Sequence, residues 1–255
     1  MVKKMGKKLI IIVYFIISLI FLLPLVGIVL KSLNLELWSS VISQKGTYTS
    51  LGTTILVAII AMGINFVIGT PLAAFMAREN FKGKYIIEFL IILPLIVPAM
   101  VSTMGLQFAF IKLGLIETIL GVGIVHSVTT MPYYVKSMRA GYLTLSKDYI
   151  NMGKILGANS LEIFFKITLP ILTPSFLVGM SLVIIISLAQ YLVTFIIGGG
   201  KVMTLPILMM PYLSNGDIGS GTVYSVIYVL FTYFLVFLIG KILKIIYRKS
   251  DRNND

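Results

Sequence analysis

Residues 9–30 read LIIIVYFIISLIFLLPLVGIVL, a run without a single charged side chain. An α-helix needs about 20 predominantly apolar residues to cross the hydrocarbon core of a bilayer, so this run is long enough on its own. Its apolar positions are continuous rather than alternating, which selects a helix over a barrel strand. Lipid offers no partner to a free backbone N–H or C=O, and a helix satisfies those groups internally. Lys3, Lys4, Lys7 and Lys8 precede the run, as basic residues precede a secretory signal. A signal's apolar region spans only about 7–15 residues and ends at a small-residue cleavage motif. Neither feature fits, so residues 9–30 are read as a retained first membrane helix.

Five further segments qualify, at 53–77, 86–111, 119–135, 174–198 and 223–246. The fourth is the least apolar. It carries His126, Ser127, Thr129, Thr130 and Pro132 and is expected to face protein or water. The expected fold is all-α: a polytopic membrane protein of six transmembrane helices. Composition agrees, with 58% hydrophobic and 12% charged residues where a soluble domain carries about 25% charged. The chain has no cysteine, which excludes disulfides, thiolate metal sites and cysteine nucleophiles.

A net charge of +12 suggests nucleic acid in a soluble protein. The positions of the charges argue against that partner here. Of the 21 Lys and Arg residues, seventeen fall in the N-terminal tail, the second and fourth connections and the C-terminal end. Only Lys31, Lys45, Lys112 and Lys201 fall in the alternate connections. Basic residues concentrate on the cytoplasmic side of membrane proteins. Both termini are therefore expected in the cytoplasm, with the protein multi-pass in the cytoplasmic (plasma or inner) membrane. Residues 1–50 are read as tail, first helix and outer loop, 51–247 as a five-helix transmembrane domain, and 248–255 as a cytoplasmic tail.

The longest inner connection, 139–173, contains LSKDYINMGKILGANSLEIFFKITLP at 145–170. Ser146 can cap a short helix with Asp148 in its first turn. Gly157 stands where a left-handed residue ends a helix. Asn159 with Glu162 three residues on has capping-box spacing for a second helix, and Pro170 and Pro174 punctuate the return into the fifth span. Helix, glycine turn, helix is the pattern. On these residues alone, a docking element for a soluble partner and an amphipathic hairpin resting on headgroups stand equal.

The stretch resembles the EAA motif of ABC importer permeases: E-A-A, three residues, G, nine residues, I-x-L-P. Gly157 followed nine residues later by Ile167, Thr168, Leu169 and Pro170 fits, as does Ala158. Asn151, Met152 and Gly153 depart from the first three positions. Thr53, Thr54 and Ile55, the GTPLA stretch from Gly69 to Ala73 and the LPLIVP stretch from Leu93 to Pro98 resemble other parts of the same MetI-like transmembrane domain. The chain looks nearest to the branch that includes permeases for polyamines, thiamine, ferric iron and inorganic anions.

The resemblance implies a permease subunit that forms a translocation path and couples it to ATP hydrolysis. Its implied partners are two ABC ATPase subunits, a second permease subunit (a paralogue rather than an identical copy, given the degenerate motif start) and an extracytoplasmic substrate-binding protein. The chain has no G-x-x-x-x-G-K-[ST] sequence, the P-loop pattern. The expectation is therefore a non-catalytic chain with no cofactor of its own, ATP and Mg belonging to the partner ATPase. Asn151, Gly153, Gly157, Ala158, Glu162 and Phe165 are the expected ATPase-coupling surface. Gln107, His126, Gln190 and Tyr191 are candidates for the path, because polar groups inside membrane spans are functional candidates; bonding between neighbouring helices is the competing explanation. No metal-ligand cluster or catalytic constellation is visible in the sequence. A self-contained secondary transporter or channel would call for a midplane ion site or an internal repeat, and a membrane-embedded enzyme for paired acid–base groups.

Overall fold

The computed structural model describes residues 2–252, with side chains for residues 7–242. The charges read at Lys3, Lys4, Lys244, Arg248, Lys249 and Arg252 lie outside the described side chains, as does the tail to Asp255. All regular structure among the described residues is helical, with no strand. In chain order the helices are α1 (Val2–Lys31), α2 (Leu35–Ser43), α3 (Lys45–Ile64), α4 (Thr70–Arg78), α5 (Lys84–Ile96), α6 (Ala99–Lys112) and α7 (Ile119–Thr144). There follow α8 (Lys147–Ile155), α9 (Ser160–Ile163), α10 (Leu169–Ala189), α11 (Tyr191–Gly198), α12 (Leu205–Ser214) and α13 (Ile218–Arg252). Two π-turns, Asn65–Gly69 and Phe164–Thr168, fuse α3 to α4 and α9 to α10.

Among the described residues four helical runs are long and apolar enough to cross a membrane: Lys7–Lys31, Lys45–Arg78, Ser160–Ala189 and Ile218–Ile242. A fifth is the pair Lys84–Ile96 and Ala99–Lys112, bent by 106°. The bend corrects the unbroken third span expected at 86–111. Pro98 cannot donate a backbone bond and pushes the residue before it out of the helical region. Val97 is accordingly extended, with ψ 128°.

The fifth span also differs from expectation. Its helix begins at Ser160 rather than near Pro174 and runs on through Pro170 and Pro174; the π-turn at Phe164–Thr168 comes just before Pro170, and such bulges relax the regular bonding of a helix. The loop's second helix is therefore the N-terminal end of this long helix and not a separate element. The helix then breaks at Gln190, whose ψ of 83° leaves α11 as a half-helix. The connection at 199–221 contains α12, whose Leu205, Pro206 and Ile207 are buried.

The chain divides into two compact units. In the first, made by residues up to 48 with 209–230, α2 is capped by Asn34. Gln44 Oε1 there accepts bonds from the hydroxyls of Tyr212 at 3.0 Å and Tyr224 at 3.2 Å. The second unit holds the rest and is organised around α7. This helix packs against α4, α5, α10 and α11. Its Tyr134, Val135, Met138 and Tyr142 form a core with Ala61, Ala73, Leu172, Phe176, Met180 and Val183. The polar residues that kept α7 below the apolarity of its neighbours are the ones it buries: His126, Ser127 and Thr130 are at most 1% exposed. Its glycines permit the approach. A Cβ on Gly123 would stand 2.5 Å from Ile60, and one on Gly141 would stand 2.5 Å from the Ser175 hydroxyl.

Candidate functional site

Two sites emerge, one at a corner between helices and one inside the second unit. At the corner, Ser146 caps α8 by accepting a bond from the Asp148 N–H. α8 ends in a Schellman motif: the Gly157 N–H donates to Lys154 O and the Ala158 N–H to Gly153 O, both at 3.0 Å. That closure requires a left-handed residue at position 157, and Gly157 has φ +79°. The chain then turns directly into the next helix through a complete capping box. Asn159 Oδ1 accepts from the Glu162 N–H at 2.9 Å and Glu162 Oε2 accepts from the Asn159 N–H at 3.0 Å. Lys166 Nζ also donates to Glu162 Oε1 at 3.1 Å. Replacing Asn159 with alanine is expected to cost the first turn of this helix about 1 kcal/mol. Hydrogen exchange should quicken at the amides of residues 160–163 and stay unchanged beyond Phe176.

The corner presents apolar side chains outward. Ile155 and Leu156 are 84% and 82% exposed, and Met152, Leu161 and Phe165 are exposed as well. Of the sequence candidates, Asn151, Gly157 and Phe165 are exposed, and Ala158 and Glu162 partly so. Gly153 is buried instead: a Cβ there would stand 2.9 Å from Ile167 and 3.1 Å from Ile163. Its part is to let α8 lie against the start of the long helix, which fixes the corner's angle. Met152, Ile155, Leu156 and Leu161 were not among the coupling candidates. Four large apolar residues within 152–161, a connection between membrane spans, were the available signal.

The second site is a polar seam along α7, α10 and α11. The His126 ring bridges Ser187 Oγ (2.9 Å from Nδ1) and Thr194 Oγ1 (3.0 Å from Nε2). The Thr194 hydroxyl already donates to Gln190 O at 2.6 Å, so it accepts from Nε2–H, and Nδ1 accepts from Ser187. The Gln190 amide donates to Thr129 Oγ1 at 2.6 Å, and the Gln107 amide donates to Ile196 O at 3.4 Å. Three of the four path candidates thus converge on the broken helix, and the fourth, Tyr191, begins α11 and stacks on Phe195 with ring centroids 5.8 Å apart. Asn65, in the first π-turn, extends the seam. It is fully buried and donates to Thr130 Oγ1 and Ala61 O, both at 2.8 Å. Sequence reading passed over Asn65, although an asparagine within an apolar span is itself a signal. Glu88 pairs with Arg139 at 2.8 Å and ties α5 to α7.

A long apolar bundle with a rigid glycine corner between its α7 and α10 helices narrows the field, and comparison with known proteins decides it. The family described as "Binding-protein-dependent transport system inner membrane component" matches residues 69–253. The chain belongs to this family. It is a permease subunit of the ABC importer class, as the EAA-like spacing implied. A molybdate/tungstate transport system permease protein of Pyrococcus abyssi is 27% identical over 158 residues, covering 62% of this chain and 63% of that relative. A molybdenum transport system permease protein of Mycobacterium bovis is 28% identical over 200 residues, covering 72% of this chain and 75% of the relative. The fold matches a bacterial ABC transporter involved in import of the acidic polysaccharide alginate, with TM-score 0.73 and 16% identity over 90% of this chain and 93% of that one.

Proposed function

We propose that this permease forms one half of an oxyanion importer's path through the cytoplasmic membrane and takes its driving force from ATPase subunits docked on the α8–Gly157–Asn159 corner. The observation that carries the reading is that corner. Exposed apolar residues are held at a fixed angle by a Schellman closure and a capping box, on the end of a helix that continues into the membrane. A push on such an element moves α10 as a lever, because the π-turn at Phe164–Thr168 leaves no flexible joint between them. In this reading α1, α3–α4, α5–α6, α7, α10–α11 and α13 make six crossings, with both termini and the corner in the cytoplasm. ATP and Mg are bound and hydrolysed by two partner ATPases. A second permease, a paralogue rather than a copy, completes the path, and an extracytoplasmic binding protein delivers substrate. The oxyanion class follows from the molybdate, tungstate and molybdenum relatives.

Affinity purification of the tagged chain from its native membrane in mild detergent is expected to bring down a P-loop ATPase in stoichiometric amount. Replacing Gly157 and Ala158 with bulky residues should abolish that recovery. A pure homo-oligomer, isolated under conditions that preserve a known importer, would instead favour a secondary transporter or channel.

A further inference from the structure

Glu117 lies in the connection from α6 to α7, which sequence reading passed over entirely. Its φ is +61°, the one positive φ outside glycine among the described residues. An L-residue pays for that conformation, and such residues persist where their surroundings over-determine them. Here the surroundings are the outer end of α11. The Glu117 N–H donates to Ile197 O at 2.8 Å, and its carboxylate pairs with Lys201. Its side chain lies over Gly199, where a Cβ would stand 2.8 Å from Glu117 Cγ and 2.9 Å from Oε1. The fit is reciprocal. A glutamate occupies a backbone position that suits glycine, and Gly199 (φ +54°) and Gly200 (φ +79°) stand where the glutamate needs room. Keeping a carboxylate at such a position makes sense only if the side chain itself is used.

What it holds is the far end of a broken helix. At its other end α11 is separated from α10 by the break at Gln190. Along its length it is bonded to α6 through Gln107 and to α7 through His126, whose ring also bonds Ser187 of α10. Resting on the importer reading above, we propose that Glu117 is a positioning residue. Through Ile197 O, Gly199 and Lys201 it locks the outer end of α11 to the entry of α7, so that the two move together during transport. Loosening the lock lets ATP be spent without moving substrate.

The test uses the purified whole transporter in proteoliposomes, with molybdate as the transported probe. Glu117→Gln and Lys201→Glu should each raise hydrolysis in the absence of binding protein by about two- to fivefold, the range open to an exposed ion pair. Substrate moved per ATP should fall, and the exchange Glu117→Lys with Lys201→Glu should restore both. The chain has no cysteine, so Glu117→Cys with Lys201→Cys can be joined by a short bis-maleimide. Because the two loops stay together in the proposed motion, the joined protein should keep transporting. Variants that lose thermal stability while substrate per ATP stays unchanged would reduce Glu117 to a structural role. Failure of the exchange, or arrest by the cross-link, would overturn the proposal. A wild-type complex that hydrolyses no ATP would remove the importer reading and this proposal with it, a result distinct from the others.

Discussion

With valine at position 157, the chain is expected to reach the membrane in normal amount, keep its helices, and lose energised uptake by roughly tenfold or more. The physical cause is local. Gly157 has φ +79°, a conformation that costs an ordinary L-residue about 1–2 kcal/mol and a β-branched one more. No neighbour lies within 4 Å of a Cβ at this position, so the effect is conformational and not a collision. The Schellman bonds from Gly157 to Lys154 O and from Ala158 to Gly153 O are lost when residue 157 leaves the left-handed region, and α8 then no longer ends at a set angle. The core around Tyr134 and Leu172 does not include the corner, so insertion and packing survive. Measuring uptake of radiolabelled molybdate, the probe for the proposed oxyanion path, alongside ATPase recovery separates the outcomes: uptake and ATPase association should fall together while membrane content is constant. Normal uptake would remove the corner from the coupling path. Gly157→Ala should be intermediate and Gly157→Asn mild, since asparagine tolerates the left-handed region.

How far the sequence carries can be judged at particular residues. The caps were legible because they depend on single side chains close in sequence: Ser146, Gly157 and the Asn159–Glu162 pair occupy the roles their spacing implies. Long apolar helices were legible from composition. The breaks were not. Pro98 bends the third span by 106°, yet Pro170 and Pro174 leave their helix running; a proline's effect depends on where in the turn it falls and on what packs around it. Gln190 ends α10 without any proline, held by Thr129 from 61 residues away. α12 was hidden for a related reason, since its burial of Leu205 comes from contacts distant in sequence. Among site residues, the seam candidates were visible as polar groups in apolar runs. Gly153 read as a contact surface because a glycine's burial cannot be seen without the Ile163 and Ile167 that cover it.

Leucine at position 141 should cost most of the folded protein. Membrane helices gain little from the hydrophobic effect between one another and associate through close packing at small residues. The α7–α10 seam is packed in that way. At Gly141 a Cβ would stand 2.5 Å from Ser175 Oγ, 2.8 Å from Ser175 Cβ and 3.0 Å from Leu172 Cδ2. Farther along, a Cβ on Gly179 would stand 3.0 Å from the Tyr134 ring. Rotating the Ser175 hydroxyl away leaves the clash with its Cβ, which the backbone sets, and the Ser137 hydroxyl holds that backbone by donating to Ser175 O at 2.7 Å. Leu172 is itself 1% exposed and has nowhere to go. Overpacking a tight core typically costs about 1–3 kcal/mol for small additions, and leucine adds four carbons where one does not fit. Gly141→Ala should lower the melting temperature in detergent, and Gly141→Leu should leave little monodisperse protein. Gly105 lies in α6 with nothing within 4 Å of a Cβ, so Gly105→Ala should match wild type or gain slightly from alanine's helix preference. A Gly141→Leu protein as stable as the Gly105→Ala control would show that α7 and α10 do not meet at this seam. That result would also undercut the lever, since α10 could then move without carrying α7.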